Sequence, residues 1–179
     1  MTDALFADNT VLCNFAAVER LDLLRSVLAG RGRWTEAVAY EASRSAAYLP
    51  ALRVLPLEGW LHEPVAVSDE AGARTVERIR RAVFGGPHDR PLRHLGEAQT
   101  CYVILHRAAF RGSWWLSDDQ ESVRYARRQA IPARETIDLM RLAVTDGLVA
   151  ARDAVDLMRK MSDNDRHLRL PASAEDFQR

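Results

Sequence analysis

The sequence has few lysines and cysteines, and this shortage narrows the possible kinds of site. Lysine occurs once, at Lys160, and the 179 residues include two cysteines, Cys13 and Cys101. Neither cysteine lies in a CxxC pair, and the five histidines show no metal-ligand spacing, so we expect buried thiols rather than a zinc site. No GxSxG segment is present, which argues against a serine nucleophile of the hydrolase type.

Long apolar runs and an excess of one charge are also missing. No stretch approaches the ~20 apolar residues of a membrane span, and the N-terminus lacks the pattern of a signal peptide. These features predict a cytoplasmic protein without a membrane partner. The 25 basic and 25 acidic residues give a formal net charge of zero. The whole molecule therefore has no net charge to attract nucleic acid, which would need a local basic patch.

Strand and helix patterns alternate along the chain. This alternation predicts an α/β domain over residues 1–161 with a parallel sheet covered on both faces, followed by a loosely held polar tail over 162–179. The expected strands are 4–8, 51–61, 113–117 and 129–133. The expected helices are 10–28, 35–47, 69–83, 96–110, 119–129, 135–146 and 150–161, and the RGR segment 31–33 is predicted as a turn.

Acidic residues follow two of the predicted strands. Asp8 comes directly after the first strand, and Asp118 and Asp119 come directly after the WWLS segment. In parallel sheets the functional crevice lies beyond the carboxyl ends of the strands, so these acids are expected at one edge. Helix capping is the alternative explanation for each of them, because aspartate is a favoured cap residue.

Two glutamates lie on helix faces that are mostly apolar. Glu41 shares a face with Ala37 and Val38, and Glu97 shares one with Cys101 and its neighbours. Such faces are normally buried, so both carboxylates are candidates for the same crevice. Glu97 could instead be an acid of the first helical turn that interacts with the helix dipole.

Several carboxylates in one crevice repel one another unless a cation lies between them. Mg²⁺ and Mn²⁺ favour carboxylate and water oxygens, and can activate a water for attack on a phosphodiester. The acids therefore predict a Mg²⁺ or Mn²⁺ site with hydrolytic chemistry.

Four segments occur in an order that is typical of one family. They read ADNTVLCNFAAVERLDLL, TEAVAYE, LGEAQTCYVI and WWLSDDQESVRYARRQAIP, and a helical pair follows them. In this order they resemble the PIN domain family, most closely its branch of bacterial toxin–antitoxin ribonucleases of the VapC kind. The resemblance covers residues 4–161, and it implies a three-layer α/β/α sandwich on a parallel sheet of about five strands.

The resemblance also implies the acidic site. Asp8 matches the family's first-strand aspartate, with Asn9 or Thr10 as an adjacent polar helper, and Asp119 matches the aspartate after the fourth strand, with Asp118 as an alternative. In the third segment this branch often reads Gly-Glu-x-Glu, where the chain has Gln99 in place of the second acid. The predicted catalytic residues are Asp8, Glu41, Glu97 and Asp119, and the predicted metal ligands are Asp8, Glu97, Asp118 and Asp119.

By this resemblance the chain would be a metal-dependent endoribonuclease toxin that acts on RNA, is held inactive by a cognate antitoxin and forms a homodimer. Arg124, Arg127 and Arg128 follow the Asp118-Asp119 pair and are candidates for contacts with RNA phosphates; a solvated helix face is the alternative. The apolar last two helices would either seal the core or offer a surface to the antitoxin.

Two other functions compete with the nuclease. Because of Gln99, the chain could be a degenerate member of the family that keeps the fold as a binding or scaffolding module. An acidic phosphotransfer receiver also carries aspartates at strand ends. The receiver is disfavoured because Lys160, the single lysine, lies too late in the chain.

Overall fold

The computed structural model describes residues 3–177. Within this range four strands alternate with nine α-helices. The strands are β1 (Leu5–Ala7), β2 (Gly32–Arg33), β3 (Trp114–Leu116) and β4 (Ala133–Arg134). The helices are α1 (Asn9–Ala17), α2 (Leu21–Leu28), α3 (Glu36–Ser45), α4 (Leu55–Glu58), α5 (Glu70–Ala82), α6 (Leu95–His106), α7 (Gln120–Arg128), α8 (Thr136–Thr145) and α9 (Ala151–Asp163), with short 3₁₀ helices at Pro50–Val54, Ala108–Phe110 and Ala174–Phe177.

The strands form one parallel sheet in the order β2-β1-β3-β4. Leu5 in β1 is opposite Gly32 of β2 on one side and Trp114 of β3 on the other. The predicted α/β class and parallel sheet are thus confirmed. The prediction of about five strands is wrong for the described residues, where the sheet has four.

Helices cover both faces of this sheet. On one face Leu5, Ala7 and Leu116 join a core built with α1–α4, α8 and α9. On the other face Phe6 and Trp115 join a second core built with α5, α6 and α7. Because successive strand residues point to opposite faces, three-residue strands suffice to supply both cores. This arrangement is compatible with a three-layer sandwich.

The segment 51–61, predicted as a strand, is helical instead. It forms the 3₁₀ helix Pro50–Val54 and then α4, which ends at Gly59 in the left-handed conformation. Leu52 and Leu55, three residues apart, are buried, whereas Leu57 is 84% exposed. The apolar residues follow a helical spacing of three, and the prolines at positions 50 and 56 suit the first turns of helices.

Two further predictions for the first forty residues were wrong. The RGR segment contributes β2, where a Cβ at Gly32 would lie 2.9 Å from Leu61 Cδ2, so a larger residue would displace that core side chain. The single helix 10–28 is divided into α1 and α2, because Glu19 takes a left-handed conformation that ends the first helix. The other predicted helices are present within a few residues of their expected ends.

The C-terminal segment is held more firmly than its composition predicted. Phe177 is buried in the core on the α8 and α9 face, although most residues around it are polar. Residues 178–179 of the predicted tail lie outside the described range. Nowhere in residues 3–177 does a helix have the length and apolar character needed to cross a membrane.

Candidate active site

The carboxyl ends of β1 and β3 lie side by side and carry the predicted aspartates. The backbone N–H of Asp8 continues the sheet by donating to Leu116 O at 2.9 Å. Ser117, Asp118 and Asp119 follow Leu116 directly. The parallel pairing of β1 with β3 therefore places Asp8 next to these three residues, of which the sequence predicted the two aspartates at this edge.

The Asp8 side chain is buried, with 3% of its surface exposed, and its carboxylate accepts three hydrogen bonds. Its Oδ1 accepts from the N–H of Asn9 at 2.8 Å, and its Oδ2 accepts from the hydroxyls of Thr10 (3.0 Å) and Ser117 (2.9 Å). Asp8 thus caps α1, and capping is part of its role. Burial and the nearby charge of Glu97 nevertheless raise the pKa of Asp8 to about 7. The three hydrogen bonds favour the ionised carboxylate but do not offset the effect of burial and of Glu97 on its pKa. A role as a helix cap alone would not raise the pKa.

Glu41 and Glu97 approach Asp8 from two different helices. Glu41 Oε1 accepts a 3.3 Å hydrogen bond from the N–H of Gly96 at the start of α6. Burial, and then the charges of Asp8 and Glu97, raise the pKa of Glu41 to about 8. Glu97 lies 3.2 Å from His94 Nδ1. The three acids, which are 33 and 56 residues apart in the chain, therefore lie near one another, as predicted.

Gly96 allows this approach because it has no side chain. A Cβ at this position would lie 2.8 Å from Glu41 Oε1 and 2.9 Å from Oε2. Any larger residue would push the Glu41 carboxylate away from the N-terminus of α6. The glycine of the LGEAQ segment therefore has a steric role beside the acid.

Asp119 is linked to Asp8 through Ser117. The Ser117 hydroxyl donates to Asp8 and accepts from the N–H of Asp119 at 3.2 Å. Asp119 Oδ1 accepts from the N–H of Ser122 at 2.7 Å, so Asp119 caps α7. Its other oxygen has no hydrogen bond to a residue of 3–177 and is free to act as a ligand.

Asp118 belongs to a second network, which is joined to that of Asp8 because the N–H of Asp118 donates to the Thr10 hydroxyl oxygen at 3.3 Å. Its Oδ1 accepts from the N–H of Thr136 at 3.0 Å, and its Oδ2 accepts from Asn14 Nδ2 at 2.8 Å and from the Thr136 hydroxyl. Burial raises the pKa of Asp118 to about 6. Both oxygens are engaged in tying α1 to α8, so Asp118 has a structural role, and its role as a metal ligand stays a prediction.

Gln99 connects α6 to the start of α3. Its Oε1 accepts from the N–H of Ala37 at 3.1 Å, and its Nε2 donates to Glu36 Oε1 at 3.2 Å. A glutamate here could not donate to Glu36 and would face it with a like charge. The hydrogen bonds to Ala37 and Glu36 therefore explain structurally why the chain has glutamine at position 99, where the related motif often has a glutamate.

The predicted RNA-binding arginines are exposed on α7. Arg124 lies 4.0 Å from Glu121, and Arg128 lies over the ring of Tyr125. Helix α7 begins at the acidic edge and returns along the sheet, with a rise of ~1.5 Å per residue. Arg127 and Arg128, in its last turn, are therefore about 12 Å along the axis from Asp119.

Sequence reasoning missed Ser117, His94, Asn14 and Thr136. Ser117 could have been found, because it occupies the first position after β3, between a strand and two acids. The other three have no such local signal, since their partners are fixed by contacts between distant elements. Cys13 and Cys101 are free and buried, as predicted.

Throughout residues 3–177, no group of three or more His, Cys, Asp or Glu side chains is arranged so that it could hold a metal ion. The charge of Glu97 contributes to the raised pKa values of Asp8 and Glu41, but the acidic side chains do not form a preformed coordination shell. The Mg²⁺ or Mn²⁺ ion stays a prediction.

Comparison with known proteins gave no match: no protein-family model, curated protein or solved structure is significantly similar to the chain. Membership of the PIN domain family therefore stays a prediction that depends on the order of the four sequence segments.

Proposed function

We propose that this protein is a divalent-metal-dependent endoribonuclease with a PIN-like three-layer fold, acting as the toxin of a toxin–antitoxin pair. The observation that carries the proposal is the meeting of Asp8, Glu41 and Glu97. Three separate segments bring these acids together, and burial and mutual repulsion raise the pKa of Asp8 to about 7 and of Glu41 to about 8. Such perturbed groups concentrate at functional sites.

The chemistry of these residues fits a hard divalent cation. Within residues 3–177, neither Asp8, Glu41 nor Asp119 forms an ion pair with Arg or Lys, and Glu97 pairs only with His94. Carboxylate and hydroxyl oxygens are the ligands that Mg²⁺ and Mn²⁺ prefer. Asp8, Glu97 and Asp119 would hold the ion.

When bound, the ion would lower the pKa of a water and stabilise charge on the phosphodiester. The protein's own groups would orient the reactants and accept a proton. Thr10 and Ser117 fix the Asp8 carboxylate through hydrogen bonds to Oδ2. Glu41, whose pKa is raised close to neutral pH, can take a proton from the attacking water at its carboxylate.

The test is cleavage of single-stranded RNA by the purified protein with Mn²⁺. Asp8→Asn and Asp119→Asn should abolish cleavage while the fold survives, because asparagine also caps helices. Asp153→Asn, which removes an exposed acid from α9, is the matched control and should leave the rate unchanged. Retained cleavage in Asp8→Asn would contradict the proposal. Growth arrest on expression, relieved by Asp8→Asn, would support the toxin role.

The scaffolding alternative is favoured by two observations. Gln99 is committed to Glu36 and Ala37, and no metal site is preformed in the described residues. Thermal unfolding with and without Mn²⁺ separates the two functions. A nuclease should gain stability with millimolar Mn²⁺ and lose the gain in Asp8→Asn, whereas a scaffold should show no shift.

A further inference from the structure

A cavity of about 790 Å³ opens directly beside Glu41. Helix α3 forms one wall, and the segment 90–95, which leads into α6, forms the other. The residues that line it and carry the argument are Tyr40, Glu41, Arg44, Arg90, Leu92 and Arg93. Glu41 lines this cavity and also belongs to the acidic cluster, which is formed by Asp8, Glu41 and Glu97. The cavity and the acidic cluster are therefore continuous.

The α3 wall presents an aromatic ring and a guanidinium one turn apart. Tyr40 is 49% exposed, and Arg44 is also exposed. No acid of the described chain forms an ion pair with Arg44, although Glu41 precedes it by three residues. Both groups are thus available to a molecule in the cavity.

Arg80 stabilises the opposite wall of the cavity by hydrogen bonds to its backbone. This arginine is completely buried, and its Nη1 donates to the carbonyls of Pro87, Arg90 and Arg93 at 3.1, 3.2 and 3.3 Å. Its Nε and Nη2 form a bidentate pair with Glu77 at 2.7 and 2.8 Å. The backbone of the loop is therefore fixed before any ligand arrives, which lowers the entropic cost of binding.

The loop also connects to the acidic cluster by hydrogen bonds. Arg93 Nε lies 3.2 Å from His94 Nε2, and His94 Nδ1 lies 3.2 Å from Glu97 Oε1. Arg90 and Arg93 form no ion pair with an acid in the range 3–177. Three arginines without acidic partners thus surround an aromatic ring next to three acids.

We propose that this cavity binds a short single-stranded stretch of RNA and leads it to the acidic cluster, an inference that rests on the proposed nuclease function. Arg44, Arg90 and Arg93 would contact phosphates, since guanidinium groups bind phosphate oxygens bidentately. Tyr40 would stack on an unpaired base, as exposed aromatic rings do in proteins that bind single strands. This assignment replaces the α7 arginines as the main phosphate contacts.

The test is binding of a fluorescein-labelled single-stranded RNA, measured by anisotropy in EDTA so that no cleavage occurs. Arg44→Ala/Arg90→Ala should weaken binding by about tenfold and reduce the salt dependence by about 1.4, the value for two phosphate contacts on a single strand. Arg152→Ala/Arg159→Ala, which removes the same charge from α9, is the matched control and should weaken binding by less than about twofold. Tyr40→Ala should weaken binding, whereas Tyr40→Phe should not.

Each outcome decides the proposal. Loss of affinity in the Arg44/Arg90 variant alone supports it. Equal loss in both double variants, loss confined to Arg124→Ala/Arg127→Ala, or no RNA binding by the wild type overturns it. Binding of a labelled glutamate-rich peptide that depends on Arg44 and Arg90, without RNA binding, assigns the cavity to a protein partner and also overturns it.

The nuclease proposal is tested separately, by measuring RNA cleavage in the presence of Mn²⁺. If the wild type cleaves RNA but the Arg44/Arg90 variant binds and cleaves like wild type, the cavity assignment fails and the nuclease stands. If binding depends on the two arginines but no cleavage occurs, the cavity assignment stands and the nuclease fails. Circular dichroism of each variant checks its fold.

Discussion

Two acidic networks lie at the same edge of the sheet and differ in how their charges are compensated. Asp118 accepts hydrogen bonds from Thr136 and Asn14 at both of its oxygens, and the charge of Glu135 also acts on it. The other network, the acidic cluster, contains Asp8, Glu41 and Glu97, whose charges act on one another. In it Glu41 has one donor, the N–H of Gly96 at 3.3 Å.

Asp8 and Asp118 each accept three hydrogen bonds, so the number of donors does not separate the two networks. The difference lies in Glu41, which accepts one hydrogen bond and whose pKa is raised by burial and by the charges of Asp8 and Glu97. Acids that face one another in this way cost stability, and that cost persists unless a proton or cation offsets it.

The largest expected effect tests the structural role of Asp118. Asp118→Ala should lower the free energy of unfolding by about 3 kcal/mol or more, because three buried donors lose their acceptor and each costs ~1–3 kcal/mol. Glu41→Ala should not lower it, since the loss of one long hydrogen bond is offset by removal of a carboxylate whose ionisation costs stability. Urea unfolding at pH 7.5 measures both. Similar losses in the two variants would remove the distinction between the networks.

The second prediction concerns pH. The pKa values of Asp8 and Glu41 rise from 3.8 and 4.5 to about 7 and about 8 on folding, chiefly through burial. The folded protein therefore binds more protons than the unfolded chain between these values. Stability should fall as the pH rises from about 5 to about 8, by about 2 kcal/mol or more, since one pKa unit corresponds to ~1.4 kcal/mol.

Above the folded pKa values this loss should be complete. Urea unfolding across the pH range measures it, and Glu41→Gln should remove a large part of the slope. A slope unchanged by Glu41→Gln would show that folding does not raise the pKa of Glu41. Mn²⁺ should also flatten the slope if the cation replaces the protons.

The third prediction concerns a variant, Gln99→Glu, that adds one acid to α6. Gln99→Glu should lower the free energy of unfolding at neutral pH by about 1–2 kcal/mol, because the new carboxylate loses the donation to Glu36 and repels it. Glu36→Gln in the same chain should restore most of the loss, since an amide at position 36 can donate to the new acid. Thermal unfolding of the single and double variants tests this. A Gln99→Glu variant as stable as wild type would contradict it.

The smallest expected change in stability comes from Gly96→Ala. The added Cβ meets only the flexible end of Glu41, and alanine favours the helix, so the free energy of unfolding should stay within about 1 kcal/mol. The displaced Glu41 should nevertheless reduce RNA cleavage by about tenfold, because small misplacements of reacting groups are costly. Cleavage rate and melting temperature of one preparation test both parts. A full cleavage rate would show that the position of Glu41 is unimportant.

The sequence pattern predicted helix positions reliably where a capping residue marks the start of the helix. The caps Asp8, Thr35, Asp69 and Asp119 all begin helices near the expected positions. It failed for 51–61, where leucines at helical spacing looked like a strand because of the β-branched and apolar composition. It also missed the two-residue strand β2, which is too short to show any periodicity.

What the sequence by itself determined is the α/β class, the parallel sheet, the starts of the helices other than α2 and α4, and the list of candidate acids, because each depends on residues close together in the chain. Only the tertiary structure separated Asp118 from Asp119, joined Glu41 to Gly96 and placed Arg44 opposite Arg90. These outcomes depend on donors, charges and steric gaps contributed by distant segments. Hydrogen-bond satisfaction and electrostatic repulsion act over a few ångströms of space, whatever the separation along the chain.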